Sequence, residues 1–150
     1  MIPLPFNKLQ GFFNKKREVH TAIVYGSFSK GRIRKSSDVD IAILVKEIPG
    51  DLFSYTSELS LLLDDMCGRE TDVLILNTAS PHIAFRAIKE GKVVFQRKNR
   101  SLWNQFVVKI IQMNEDMEIL YRKVRRGWSS ISWQKDKRYP WASSILDEEQ

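Results

Sequence analysis

Apolar residues follow two rhythms along this chain, and each switch between them marks an element. His20 to Tyr25 (HTAIVY) is a compact β-branched run halted by Gly26, and Asp38 to Val45 (DVDIAILV) is a second run closed by Pro49 and Gly50. Both read as buried strands. Residues 7–17 fit a short amphipathic helix. From Leu52 onward, Leu52, Tyr55, Leu59, Leu62 or Leu63 and Met66 fall at the spacing of a helix laid on a sheet. Thr71 to Leu76 (TDVLIL) predicts a third strand, and Lys92 to Phe95 (KVVF) a short fourth. Between them Ser80 and Pro81 supply a cap and a first-turn proline and Gly91 a stop, which predicts a helix over 81–90. Ser101 to Val124 carries a helical stripe of about six turns. After Gly127 the period vanishes, and Trp128, Trp133 and Trp141 are scattered among Lys, Ser and Pro. The expected organisation is a domain over 1–98, a helix over 99–126 that packs on the domain or a partner, and a mobile or partner-ordered tail over 127–150.

With 150 residues and 43% hydrophobic content, the chain is of single-domain size with enough apolar mass for a core. The net charge of +6 matters less than its distribution. Between Arg97 and Arg138 eleven Lys or Arg stand against four Asp or Glu, leaving the remainder about neutral. The basic excess thus belongs to the tail, where it can meet RNA, an acidic protein surface or water. Interleaved Trp and Lys can stack on bases or anchor a protein interface, and the protein interface is the favoured reading. The single cysteine, Cys67, excludes an internal disulfide and a cysteine zinc cluster, and reads as a small buried hydrophobe. No apolar run approaches the roughly 20 residues of a membrane helix, and MIPLPFNKLQ is too polar for a signal peptide. No membrane association and a cytoplasmic location are expected. His20 and His82 lie in different elements, so surface or capping roles are expected rather than a metal site. Ser57 and Ser60 have no base near them in sequence and are expected to face solvent.

The stretch GSFSKGRIRKSSDVDIAILV, residues 26–45, carries the chemistry. Alternating side chains share a face, so Asp38 and Asp40 project together with Cα atoms roughly 6.5–7 Å apart. Like charges this close repel unless a cation lies between them. Magnesium, which takes oxygen ligands and is bound by one or two carboxylates plus substrate phosphates, resolves the conflict. Asp72 occupies the second position of another apolar strand, and three carboxylates on adjacent strands can hold two metals. Gly26 lets a phosphate approach the backbone, while the Ser27 hydroxyl and the following N–H groups can donate to it. Lys30, Arg32, Arg34 and Lys35 add cationic side chains in the same loop. The chemistry this set supports is nucleotidyl transfer. A Gly-Ser pair after a strand is commonly only a turn, and a lone Asp-x-Asp only an exposed strand entrance. Strand, Gly-Ser, ten residues, Asp-x-Asp and a later apolar-flanked Asp form a far more specific combination.

That combination, Gly26 and Ser27, Asp38 and Asp40, then Asp72 in TDVLIL, resembles the signature of the DNA polymerase β-like nucleotidyltransferase superfamily, and the small size resembles its minimal members. SPHIAFRAIKEGKVVF resembles the end of that minimal domain, so the resemblance covers about residues 18–96. It implies an α/β (α+β) fold: a small mixed β-sheet of about four strands flanked by helices, followed here by the C-terminal amphipathic helix and tail. It also implies two magnesium ions on Asp38, Asp40 and Asp72, with a nucleoside triphosphate at Gly26, Ser27 and Lys30. Within the superfamily the chain resembles antitoxins of MNT/HEPN toxin–antitoxin pairs. The resemblance then implies ATP-dependent AMPylation of a tyrosine on a co-encoded HEPN ribonuclease toxin. The basic loop and the helix and tail from Ser101 depart from the minimal form. Two other readings stand beside this one: transfer to a small hydroxylated acceptor such as an antibiotic, and a non-catalytic module that binds a partner or RNA.

Overall fold

Val19–Tyr25 (β1) and Val39–Val45 (β2) form the middle of a four-stranded sheet, which is why both read as nearly unbroken apolar runs. Strands covered on both faces have no solvent side to alternate with. The computed structural model describes residues 4–31, 34 and 36–125. In strand order β3-β2-β1-β4, β1 pairs antiparallel with both β2 and β4 (Lys92–Gln96), while β2 pairs parallel with β3 (Thr71–Ile75). The sheet is therefore mixed.

One face of the sheet carries Ala22, Val24, Ile41, Ile43, Val73 and Ile75, covered by α1 (Phe6–Lys15) through Leu9 and Phe13 and by α2 (Leu52–Cys67) through Leu59 and Leu63. Ile23, Ala42 and Leu44 point to the other face, against Ala84 and Ala87 of α3 (Pro81–Glu90). Leu102, Trp103, Phe106 and Ile110, from the first turns of α4 (Ser101–Arg125), pack on that same cluster. The chain divides into two compact units, 1–112 and 113–150, and α4 begins in the first. The three tail tryptophans, with Arg32 and Lys35, lie outside the described residues. Among the described residues no helix is long and apolar enough to cross a membrane.

Local chemistry punctuates these elements as expected. Asp51 caps α2, accepting from the Ser54 backbone N–H at 3.0 Å, and Ser80 caps α3 through the Ile83 N–H, with Pro81 following. Gly91 ends α3 by close packing: its backbone is extended, and a Cβ there would collide with Ile23 and the Ala87 carbonyl. Strand β3 stops one residue earlier than its apolar run. Leu76 starts a single 3₁₀ turn, and the Asn77 side chain takes over the pairing, accepting from Val45 N–H at 3.0 Å and donating to Val45 C=O at 2.8 Å.

Two histidine expectations divide. His82 is exposed at the start of α3, whereas His20 is not a surface residue: it is 3% exposed. Its Nε2 donates to the Asn99 carbonyl at 2.6 Å, and its Nδ1 lies 2.7 Å from the Thr21 hydroxyl. A bulge in the β1–β2 pairing between Val19 and Thr21 accompanies this inward turn.

Arg97, just past β4, fastens the N-terminal helix to the sheet. Its guanidinium donates to the carbonyls of Phe13, Asn14, Lys16 and Val19 at 3.0–3.3 Å and lies 4.6 Å from the Phe95 ring centre. Removing it takes a charge-assisted hydrogen bond from each of those four carbonyls at once. Arg97→Met is expected to lower the unfolding free energy by about 2–3 kcal/mol, a value set by charge-assisted hydrogen bonds and read from urea denaturation.

Candidate nucleotide and metal site

The site is built where β1 ends. Tyr25 closes the strand, and Gly26–Phe28 form one 3₁₀ turn. Gly26 has φ +71°, and a Cβ on it would collide with the Asp40 carboxylate Oδ2. Both facts require glycine. Ser29 ties the turn back, its hydroxyl donating to Gly26 C=O at 2.9 Å, and the Lys30 N–H reaches the same oxygen at 3.3 Å. Among the described residues the Ser27 hydroxyl takes no protein partner.

Strand register then sets the carboxylates. Asp40 is the cross-strand partner of Tyr25 on one side and of Asp72 on the other, so three polar side chains stand abreast on three neighbouring strands. Adjacent strands lie about 4.7–4.9 Å apart. Asp38, just ahead of β2, is exposed, as is Asp72, while Asp40 is half-buried. Burial, then Asp72, then Asp38, push the Asp40 carboxyl above its ordinary value. Tyr25 is pushed up to about 12 by burial and by Asp40 and Asp72, with Arg86 of α3 pulling the other way. Its phenol stays protonated at working pH and can donate a hydrogen bond, which a phenolate cannot.

Lys30 is held at the end of α3, with Nζ 3.0 Å from Glu90 Oε2. This contact, more than the further cations Arg86 and Lys89, holds the Glu90 carboxyl below its ordinary value. A nucleotide phosphate drawing on Lys30 would have to displace Glu90. Arg69 fastens the other end of the loop. It donates to the carbonyls of Arg34 and Ser37 at 3.0 and 3.3 Å and lies over the Phe28 ring at 5.2 Å, tying the turn after β1 to the residue preceding Asp38.

Tyr25, Arg69 and Arg86 were absent from the sequence expectation. The loop separating β1 from β2 is too long for turn geometry to dictate the register that sets Tyr25 opposite Asp40. Arg69 and Arg86 belong to a turn and a helix with no local motif. Ser57 and Ser60 correct an expectation: they are half-buried and line an open hollow that includes Asp72. The α2 helix lies over β3, so its middle turns face the strand edge.

The donor set suits a hard cation. All three carboxylates offer oxygen, and among the described residues no three His, Cys, Asp or Glu side chains converge closely enough to cage a metal alone. Magnesium characteristically takes one or two carboxylates and completes its shell with water and substrate phosphates.

A family model for polymerase beta nucleotidyltransferases matches residues 7–100, well over half of the chain. The chain belongs to that family. The nucleotidyltransferase fold is shared with a chain of a toxin–antitoxin complex crystallised with AMP-PNP, which is 22% identical with a TM-score of 0.71, the alignment covering 83% of this chain and 98% of that one. It is also similar to a chain of the MntA-HepT toxin–antitoxin complex, at 20% identity and TM-score 0.63 over 81% of this chain and 94% of the other. A third similar chain comes from the tri-AMPylated Shewanella oneidensis HEPN toxin in complex with MNT antitoxin, at 20% identity and TM-score 0.64 over 81% and 93%. A search of curated proteins finds no match.

Two outcomes follow for this nucleotidyltransferase. The raised Asp40 carboxyl holds its proton more tightly folded than unfolded. Its contribution is therefore present below the ordinary value of 3.8 and lost as pH rises through the elevated folded value. Asp40→Asn should melt higher than the metal-free parent near neutrality, by up to about 1 kcal/mol after solvent screening, and the gap should close on acidification. Arg69→Met should leave the melting temperature within a few degrees, because its hydrogen bonds are at most partly buried, yet weaken nucleotide binding several-fold in calorimetry by loosening the loop.

Proposed function

We propose that the protein transfers AMP from ATP to a tyrosine hydroxyl of a co-encoded helical HEPN ribonuclease toxin and so acts as its antitoxin. The observation that carries this reading is the abreast placement of Asp40 and Asp72 beside the glycine turn at Gly26. Support comes from the similar complexes, one containing AMP-PNP and another a tri-AMPylated HEPN toxin.

Asp38, Asp40 and Asp72 would hold two magnesium ions, which when bound supply neutralisation of the triphosphate and acidification of the acceptor hydroxyl. The backbone N–H groups after Gly26 and the Ser27 hydroxyl donate to the terminal phosphates. Lys30 joins them on release from Glu90. The acceptor oxygen then forms a bond to the α-phosphorus as the bond to the β-phosphate oxygen breaks, and pyrophosphate leaves. Asp72, exposed on the edge strand, takes the acceptor proton. Tyr25, the cross-strand neighbour of Asp40 with its phenol kept protonated, offers a hydrogen-bond donor beside that carboxylate.

The test is incubation with magnesium and α-labelled ATP, alone and with the protein encoded by the adjacent reading frame, reading label by gel and mass spectrometry. Label on a tyrosine of the neighbour is expected. Even groups that only support metal ligands cost 10–100-fold when removed, so Asp40→Asn or Asp72→Asn should each cost at least about a hundredfold in transfer. Undiminished labelling by either variant, or no label from the parent with any nucleotide, would refute the reading.

A further inference from the structure

Helix α3 ends on a carboxylate. Glu90 is its last residue, the position at which the helix dipole disfavours a negative charge. A cation from outside the helix offsets it: Lys30, four residues past Gly26, whose Nζ lies 3.0 Å from Glu90 Oε2. This is the single ion pair among the described residues, and both of its side chains are partly exposed. The cation nearest the glycine turn is therefore occupied before a nucleotide arrives.

Two further cations act on Glu90, both from its own helix: Arg86 and Lys89. Lys89 adjoins Glu90 in sequence and so points about 100° around the helix, where its Nζ lies 6.0 Å from the Phe85 ring centre. Arg86 precedes Glu90 by one turn. That spacing sets the two side chains next to each other, with Cβ atoms about 5–6 Å apart. Arg86 is exposed, and among the described residues it has no ion-pair partner. Its charge also reaches Tyr25, the cross-strand neighbour of Asp40, on the face of the sheet that α3 covers. A vacant cation thus stands within reach of Glu90 and on the side of the candidate site.

We propose that Glu90 competes with the nucleotide for Lys30, and that Arg86 takes up the Glu90 carboxylate when the phosphates displace it. The exchange needs only side-chain rotation, because Arg86 and Glu90 share a helix face and the backbone of both stays where it is. Partly exposed ion pairs are weak enough to be traded in this way, and a phosphate carries more charge than the carboxylate it replaces. Without Arg86 the released carboxylate would remain beside the bound phosphates, like charge against like charge. The role of Lys30 is that of the transfer reading above, on which this inference rests. What it adds is a pair of positioning residues outside the carboxylate set that regulate how tightly the nucleotide is held.

The test is calorimetric binding of AMP-PNP with magnesium to the full-length protein, with melting temperatures measured alongside. Glu90→Gln should tighten binding about threefold to fivefold, the span of an exposed ion pair, and Glu90→Ala should match it. Arg86→Gln should weaken binding by a similar factor. In the Glu90→Gln background Arg86→Gln should have no effect, since no carboxylate is left to receive. In the Lys30→Gln background Glu90→Gln should have none, since nothing is left to compete for. Lys89→Gln, on the neighbouring face of the helix, should leave the affinity within about twofold, and no variant should shift the melting temperature by more than a few degrees. Unchanged affinity in both Glu90 variants would overturn the proposal. So would equal weakening by Arg86→Gln in both backgrounds, which would place Arg86 on the nucleotide itself, or a gain from Glu90→Gln that persists without Lys30, which would reduce Glu90 to a general repulsion. A parent that binds AMP-PNP through this exchange but labels no neighbour loses the transfer reading while the exchange stands. A parent that labels its neighbour with an affinity indifferent to Glu90 does the reverse.

Discussion

The Asp40 carboxylate is pressed against the backbone of Gly26 on one strand end and faces Asp72 on another, with Asp38 two residues away. Among the described residues no cation offsets these charges, and burial first, then Asp72 and Asp38, raises the proton affinity of Asp40. Only a scaffold that cannot yield will hold such an arrangement. Strands β1 and β2 supply it: their residues from Ala22 to Val24 and from Ile41 to Val45 are at most 2% exposed, so sliding either by one position would drive buried residues to the wrong face.

Around that pair the remaining elements act as braces. Arg97 holds α1 to the far edge of the sheet through four backbone carbonyls. Arg69 holds the long loop so that its two ends, the glycine turn and Asp38, stay in reach of one another. Both arginines spend their donors on backbone carbonyls at element ends and in the loop. The geometry of the site thus depends on charge-assisted bonds made outside it.

Much of this was legible in the residues. The four strands and four helices follow from periodicity and capping, because a buried strand, an amphipathic helix and a Ser-Pro start each impose a local pattern that survives any tertiary context. The carboxylates were legible for a related reason: Asp38 and Asp40 alternate along one strand, and Asp72 has the same place relative to its own apolar run. His20 was misjudged because its partner, the Asn99 carbonyl, is contributed from the far side of β4. Ser57 and Ser60 were misjudged because a serine on a helix reads as solvated until the neighbouring strand edge is placed.

What the sequence determined by itself is therefore whatever depends on spacing along one element: the strands, their caps and the convergence of two aspartates. Only the tertiary structure decided what depends on register and crossing, namely Tyr25 opposite Asp40, Asp72 abreast of Asp40, Lys30 held by Glu90, and Arg69 across the loop. The physical reason is range. Backbone sterics and side-chain periodicity act over a few residues, whereas these contacts join positions 15 to 60 residues apart, whose meeting is set by the burial of the whole sheet.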